Sequence, residues 1–129
     1  MKKIICGFAG IGKSTAATNL PCVVDLESAP FEKDWSRYTK VAKHMADNNY
    51  TVLLSCHKEL RECLFRNEIE YTLVFPKKEL KDLYLSNYKK RGDDEKFIEL
   101  LNNKWEEFFE VLPHEKDVRI IDKYLMDNL

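Results

Sequence analysis

Five short apolar runs recur along the chain, each of a length suited to a buried β-strand. They are Ile4–Cys6 with Phe8, Cys22–Leu26, Thr51–Cys56, Tyr71–Phe75 and Val118–Ile121. The runs are continuous rather than alternating, which is typical of strands that are covered on both faces of a parallel sheet. The pattern therefore predicts five strands in a mostly parallel sheet.

Between these runs, apolar residues repeat every three or four positions, as they do on one face of a helix. Helices are predicted over 13–19, along stripes 31–45, 80–88 and 97–112, and in a shorter segment around Leu60 and Leu64. We interpret the aromatic residues of the stripes as core packing. The polar stretch 89–96 is predicted to join two helices, and Pro113 is predicted to end the last one.

Strands and helices in alternation predict an α/β fold, a three-layer α/β/α domain in which right-handed crossovers place helices on both faces of the sheet. A chain of 129 residues with 44% hydrophobic content can bury one core but is short for two domains. We therefore expect a single domain over residues 1–129.

Charge and cysteine content narrow the function classes. The formal net charge is −1, from 21 basic and 22 acidic residues, so no charge excess predicts binding to nucleic acid or to a membrane. No apolar run has the length of a transmembrane helix, and we expect a cytoplasmic protein. The four cysteines have no C-x-x-C spacing, which favours reduced, mostly buried thiols over a zinc site.

The stretch GFAGIGKST, residues 7–15, follows the first predicted strand and opens the first predicted helix. It matches G-x-x-x-x-G-K-[ST] at Gly7, Gly12, Lys13 and Ser14. Glycines let the backbone turn its N–H groups toward a phosphate, and a helix start adds its positive end. In this pattern the lysine reaches the β- and γ-phosphates and the Ser14 hydroxyl binds Mg²⁺. The sequence therefore predicts a phosphate-binding loop.

The loop and the element order resemble the P-loop NTPase superfamily, and Gly7-x-x-Gly10-x-Gly12-Lys13-Ser14 looks most like its nucleoside and nucleotide kinase branch. The chain is also similar to small kinase-like P-loop proteins carried in bacteriophage genomes. The resemblance implies a P-loop NTPase fold with ATP and Mg²⁺ as cofactors. The residues then expected to contact the donor are Gly7, Ala9, Gly10, Ile11, Gly12, Lys13, Ser14 and Thr15.

Two carboxylates, Asp25 and Glu27, follow the second predicted strand. Ligands of open parallel sheets bind beyond the carboxyl ends of the strands, so both acids are expected beside the glycine loop. We predict that Asp25 orients or deprotonates the phosphate acceptor and that Glu27 helps to bind it; the alternative is that either acid only caps the next turn. The resemblance further implies that Arg37 holds an acceptor phosphate.

The chain departs from the P-loop pattern at one position, and the resemblance implies two basic site residues. Many P-loop proteins carry an aspartate at the tip of the third strand to hold the Mg²⁺ water shell, and Ser55 stands there in this chain. Arg91, in an Arg-Gly pair, matches the basic residue that leads to a lid, and Lys104 matches a second one in charge only. Their expected work is to neutralise the transferred phosphoryl group. The polar stretch between the helices predicts a reduced lid.

Two functions from different classes remain open at this point. The first is a Mg²⁺- and ATP-dependent phosphotransferase for a nucleoside, a nucleoside monophosphate or a similar small molecule, with Lys13, Asp25 and Arg91 in catalytic roles. The second is a nucleotide-binding protein with little or no transfer activity, which the missing aspartate and short lid motivate. The sequence contains no N-K-x-D guanine signature, which disfavours a GTPase switch.

Overall fold

The five predicted strands all form, and all five are parallel in one sheet of the computed structural model, which describes residues 1–129. The strands are β1 (Ile4–Gly7), β2 (Val23–Asp25), β3 (Thr51–Leu54), β4 (Thr72–Pro76) and β5 (Val118–Ile121). Their order across the sheet is β2-β3-β1-β4-β5. In register, Ile5 of β1 lies between Leu53 of β3 and Thr72 of β4. The strand that precedes the glycine loop is therefore the central one.

Five α-helices connect the strands. They are α1 (Lys13–Asn19), α2 (Trp35–Asp47), α3 (Lys58–Arg66), α4 (Lys81–Arg91) and α5 (Glu95–Phe109). The chain moves from β1 to β2 in one direction across the sheet and from β2 to β3 in the other, so right-handed crossovers place α1 and α2 on opposite faces. The α/β class is confirmed, and the arrangement is compatible with three layers.

The ends of several elements differ from their predicted positions. Phe31 belongs to a separate single turn, Ala29–Phe31, because Asp34 caps α2 by accepting a hydrogen bond from the amide of Arg37. The connection predicted over 89–96 is shorter than expected. Helix α4 continues to Arg91, and only residues 92–94 separate it from α5. The last long helix ends at Phe109, before Pro113.

The core is continuous from the sheet to the helices. Central strands β1 and β4 are buried along their whole length, and Phe8, just after β1, packs against Phe75 of β4 and Trp105 of α5. Cys6 and Cys63 are buried and Cys22 is exposed, and all four cysteines are free thiols. None of the helices combines the length and the apolar composition needed to cross a lipid bilayer.

Candidate functional site

The glycine loop lies at the carboxyl end of β1, in the middle of the sheet. The connections that follow β1 and β4 leave in opposite directions there, which is the switch point at which open parallel sheets bind ligands. Gly10 and Gly12 have φ of 81° and 97°, a left-handed conformation that side chains rarely adopt. A Cβ atom on Gly7 would lie 2.9 Å from the Ile11 side chain. The three motif glycines are therefore required by the shape of the loop.

The loop presents a row of backbone N–H groups that have no partner within the protein. Only its first part is bonded inward: the Phe8 amide donates to Val74 and the Ile11 amide donates to Phe8. No hydrogen bond to a protein acceptor is made by the amides of Gly10, Gly12, Lys13, Ser14 and Thr15. The amides of Gly12 to Thr15 are the N–H groups that every helix leaves without an intrahelical partner at its start, and Gly10 adds a further donor before them. Successive donors in one turn form a concave anion-binding site.

Lys13 reaches back over this loop and has no carboxylate partner. Its Nζ donates to the carbonyl oxygen of Gly7 at 3.2 Å. Burial lowers the pKa of Lys13, and the nearby charge of Arg91 lowers it further, whereas the charge of Asp25 raises it. A half-buried ammonium with only one neutral acceptor is under-solvated, and an anion placed beside it would restore the missing interaction.

Ser14 and Asp25 are joined across two elements. The Ser14 hydroxyl donates to Oδ2 of Asp25 at 2.9 Å. Asp25 ends β2, where it pairs with Leu53 of β3, so its carboxylate lies at the same edge of the sheet as the glycine loop. The structure therefore brings the two residues together. A hydroxyl beside a carboxylate at a phosphate loop offers the oxygen ligands that Mg²⁺ and its bound waters prefer.

Ser55, at the position expected for an aspartate, is polar but makes no hydrogen bond. Its hydroxyl oxygen is buried and has no partner in the protein. Beside it, the Tyr38 hydroxyl donates to the carbonyl oxygen of Leu26, just after β2, and the Ser55 amide also acts on this hydroxyl. Tyr38 thus ties the ends of β2 and β3 together, and Asp25 is the carboxylate nearest to the loop's hydroxyl.

The other predicted acceptor-binding residues lie on the segment after β2. Glu27 is exposed and makes no ion pair or hydrogen bond with the protein. Arg37 places its guanidinium 5.3 Å from the centre of the Phe31 ring and has no carboxylate partner. Trp35 packs against His57, with ring centroids 5.7 Å apart, and His57 makes no capping hydrogen bond through its side chain. This segment therefore carries a carboxylate and a guanidinium that have no ionic partner, and two half-buried aromatic rings.

Of the two basic candidates on the later helices, only Arg91 is near the loop. Its guanidinium lies 5.4 Å from the centre of the Tyr88 ring and forms an ion pair with Asp93, with NH2 and Oδ2 2.5 Å apart. Arg91 also lowers the pKa of Lys13, which places the two charges within electrostatic range. Lys104 lies on the exposed side of α5 and pairs with Glu107 at 3.6 Å. No hydrogen bond or ion pair joins Lys104 to the glycine loop.

Two residues at the loop were not predicted as site residues from the sequence. The Tyr88 hydroxyl donates to the carbonyl oxygen of Ala9 at 2.6 Å, and its ring packs on Gly10. Burial raises the pKa of the Cys56 thiol, while the charge of Lys13 and the amide of Ala9 lower it. Tyr88 belongs to a stripe that predicts only core packing, and periodicity cannot reveal that the hydroxyl of a buried tyrosine reaches a distant loop.

An open groove of about 1050 Å³ lies at the opposite edge of the sheet, where the strands begin. Residues that line it include Met1, Phe65, Tyr71 and Glu115. Ligands of open parallel sheets bind at the carboxyl ends of the strands, and the unpaired loop amides are there. The candidate site is therefore the edge that carries the glycine loop.

Comparison of the chain with protein-family models, with curated proteins and with solved structures finds no match. The functional argument therefore rests on the sequence motif and on the geometry of the site.

Proposed function

We propose that this chain is a P-loop phosphotransferase that uses ATP and Mg²⁺ to phosphorylate a nucleoside, a nucleoside monophosphate or a similar small molecule. The observation that carries the proposal is the group of unpaired amides at Gly10 and at Gly12 to Thr15, together with the Lys13 ammonium, which folds back over the loop. Amides and an ammonium without a carboxylate partner are suited to a polyphosphate, since each phosphate oxygen accepts several hydrogen bonds.

The residues at the loop fit a magnesium nucleotide. The amides of the loop and Lys13 would hold the donor phosphates, and the Ser14 hydroxyl would be a metal ligand. We assign Asp25 to the metal side because it already accepts the Ser14 hydrogen bond. ATP supplies the phosphoryl group and Mg²⁺ neutralises phosphate charge when they are bound. The chain's own contribution is positioning and electrostatic stabilisation.

The acceptor is assigned to the segment after β2. Glu27 and Arg37 are exposed there without ionic partners, and Arg37 lies over the half-buried ring of Phe31. Arg37 would bind an anionic group of the acceptor and Glu27 would accept a hydrogen bond from a hydroxyl or an amine. Arg91, which lies within electrostatic range of Lys13, would stabilise the transferred phosphoryl group once released from Asp93.

The proposal is tested by a phosphoryl-transfer screen. Purified protein, Mg²⁺ and ATP labelled with ³²P at the γ-phosphate are incubated with nucleosides, nucleoside monophosphates and small hydroxyl compounds, and products are separated by chromatography. Transfer to one acceptor class is expected, and Lys13→Met is expected to abolish it. Lys104→Met, which removes an exposed lysine of α5, is the matched control and should retain transfer. Equal transfer by wild type and Lys13→Met would overturn the proposal.

A second candidate is a nucleotide-binding protein without efficient transfer. Two observations favour it: Ser55 replaces the expected aspartate, and the connection between α4 and α5 is only Gly92, Asp93 and Asp94. A three-residue turn offers little to exclude water from the site. ATP binding that depends on Lys13, with no transfer to any acceptor, would support this candidate over the phosphotransferase.

A further inference from the structure

The helix that carries Arg91 also holds the glycine loop. Tyr88, one turn before Arg91, is fully buried, and its hydroxyl donates to the carbonyl oxygen of Ala9 at 2.6 Å. A Cβ atom on Gly10 would lie 2.5 Å from the Tyr88 ring. Tyr88 therefore contacts the peptide between Ala9 and Gly10 through both its polar and its apolar parts.

This contact has a directional consequence. The chain contains no cis peptide bond, and in a planar trans peptide the C=O and the following N–H point in opposite directions. Because the Ala9 carbonyl is directed at Tyr88, the Gly10 N–H is directed away from it. The Gly10 amide is one of the unpaired donors in the loop.

The environment of Tyr88 makes this contact persistent. Its ring packs edge-on against Phe97 of α5 and Tyr84 of α4, with centroids 5.4 Å and 6.3 Å away. Burial raises the pKa of Tyr88, so its hydroxyl stays protonated and can donate a hydrogen bond at neutral pH. Two aromatic neighbours fix the ring, and a neutral hydroxyl fixes the carbonyl.

We propose that Tyr88 is a positioning residue for phosphate binding: it orients the Ala9–Gly10 peptide so that the Gly10 amide faces the bound phosphate. The inference rests on the proposed function, because it assigns the loop to phosphate. It adds that α4 determines the donor geometry of the loop as well as supplying Arg91, so that a residue 78 positions after Gly10 in sequence controls one of its amides.

The variant Tyr88→Phe isolates the hydroxyl, since the ring and its packing on Gly10 are retained. Tyr71→Phe is the matched control, because it also removes a hydrogen-bonded tyrosine hydroxyl, one that donates to Glu115 at 2.6 Å and lies away from the loop. We expect both variants to lose similar thermal stability. Only Tyr88→Phe should weaken ATP binding, by about 3- to 10-fold, the effect of one hydrogen bond.

A spectroscopic readout separates positioning from a general loss of structure. The chain has four glycines, so selective ¹⁵N-glycine labelling gives four amide signals, of which Gly7, Gly10 and Gly12 belong to the loop and Gly92 does not. During titration of the wild type with magnesium ATP, the Gly10 signal is expected to shift strongly. In Tyr88→Phe the Gly10 response should shrink more than the Gly12 response.

The outcomes distinguish the two proposals. If the wild type binds no nucleoside triphosphate and its glycine signals do not move, the proposed function fails. If the wild type binds ATP and Tyr88→Phe binds it equally well with an unchanged Gly10 response, the positioning role of Tyr88 is overturned and the proposed function stands. Selective loss of affinity and of the Gly10 response in Tyr88→Phe, but not in Tyr71→Phe, would establish the role.

Discussion

Lys13 and Arg61 are two cations near the same buried thiol, yet their surroundings differ. Burial raises the pKa of Cys6, and the charges of Arg61 and Lys13 both lower it, so each lies within electrostatic range of that thiol. Arg61 is fully engaged: it forms an ion pair with Glu115 and its Nε donates to the carbonyl oxygen of Cys56 at 3.0 Å. Lys13 has only the Gly7 carbonyl.

This difference indicates that Arg61 stabilises the fold, whereas Lys13 is available to bind a ligand. Arg61 and Glu115 expose only 12% and 14% of their side chains, and Tyr71 donates a further hydrogen bond to Glu115. Arg61, Glu115 and the Tyr71 hydroxyl all have partners within the protein, so this cluster offers no free charge to a ligand. At the loop, five amides have no acceptor within the protein, and the Lys13 ammonium has only the Gly7 carbonyl. Donors that have no acceptor within the protein remain available to a ligand.

The largest effect is expected from breaking the Arg61 cluster. Arg61→Ala leaves Glu115 buried without a counter-charge and should lower the free energy of unfolding by about 3–5 kcal/mol. Chemical denaturation followed by circular dichroism measures it. The double variant Arg61→Met, Glu115→Gln leaves no unpaired charge and should be more stable than Arg61→Ala. A loss below about 1 kcal/mol in Arg61→Ala, as for an exposed ion pair, would contradict the structural role.

A smaller effect, on ligand binding, is expected at the metal side of the loop. Asp25→Asn keeps the shape of the side chain but removes the charge that faces Ser14, and it should weaken ATP binding in Mg²⁺ by about 10-fold, as for one charge-assisted hydrogen bond. Isothermal titration calorimetry with and without Mg²⁺ measures it. Binding without Mg²⁺ should not weaken. Glu27→Gln is the control, and an equal loss in both variants would argue against a specific role for Asp25.

Lys13 should lower stability in the absence of ligand, in contrast to Arg61. Burial lowers its folded-state pKa below the ordinary value of 10.5, so its charged form is disfavoured in the fold. This penalty is fully present below the folded pKa and is lost as the pH rises toward 10.5. Lys13→Met, which retains the alkyl chain, should therefore be slightly more stable at pH 7, by about 1 kcal/mol or less.

Thermal melts of wild type and Lys13→Met across pH 7–11 test whether the variant is the more stable of the two. The advantage of Lys13→Met should be largest near neutrality and should diminish toward pH 10.5. A variant that is less stable than wild type at pH 7, by an amount that does not change with pH, would show that Lys13 is a structural cation like Arg61.

The smallest effect is expected at Arg91, whose guanidinium forms an ion pair with Asp93 but remains partly exposed. Its ion pair with Asp93 is exposed on the Arg91 side, where 52% of the side chain is accessible. Asp93→Asn should release the guanidinium and tighten ATP binding by about 2- to 5-fold at low salt, with the gain lost at high salt. Asp94→Asn removes the same charge one residue later, where it caps α5. Equal tightening in both variants would indicate a general charge effect.

The contrast between Lys13 and Arg61 also marks what the sequence could predict. Lys13 lies in a local motif whose spacing defines its position, and helix α1 and strand β5 have the predicted ends because their boundaries follow local signals. Arg61 pairs with Glu115 across 54 positions and Tyr88 bonds Ala9 across 79. Such contacts depend on the packing of α3 and α4, which no local pattern records.

The predicted site divides in the same way. Asp25 contacts Ser14 because Asp25 ends β2 and Ser14 lies in the helix start that follows β1. The carboxyl ends of parallel strands meet at one edge of the sheet, so this contact can be predicted from the order of the elements. The prediction for Lys104 rests on charge alone. In α5 its neighbour Trp105 is buried, and Lys104 pairs with Glu107 on the exposed side of the helix. Charge without a defined helical face is therefore weak evidence for a site residue.

The most direct test of the account is the affinity for magnesium ATP of wild type, Lys13→Met and Arg61→Met with Glu115→Gln, measured by calorimetry at fixed salt. The account predicts one site in the wild type, a loss of about 10- to 150-fold in Lys13→Met, as for a hydrogen bond to a charged group, and near-normal affinity in the double variant. No binding by the wild type, or equal affinity in wild type and Lys13→Met, would contradict the assignment of the glycine loop to phosphate.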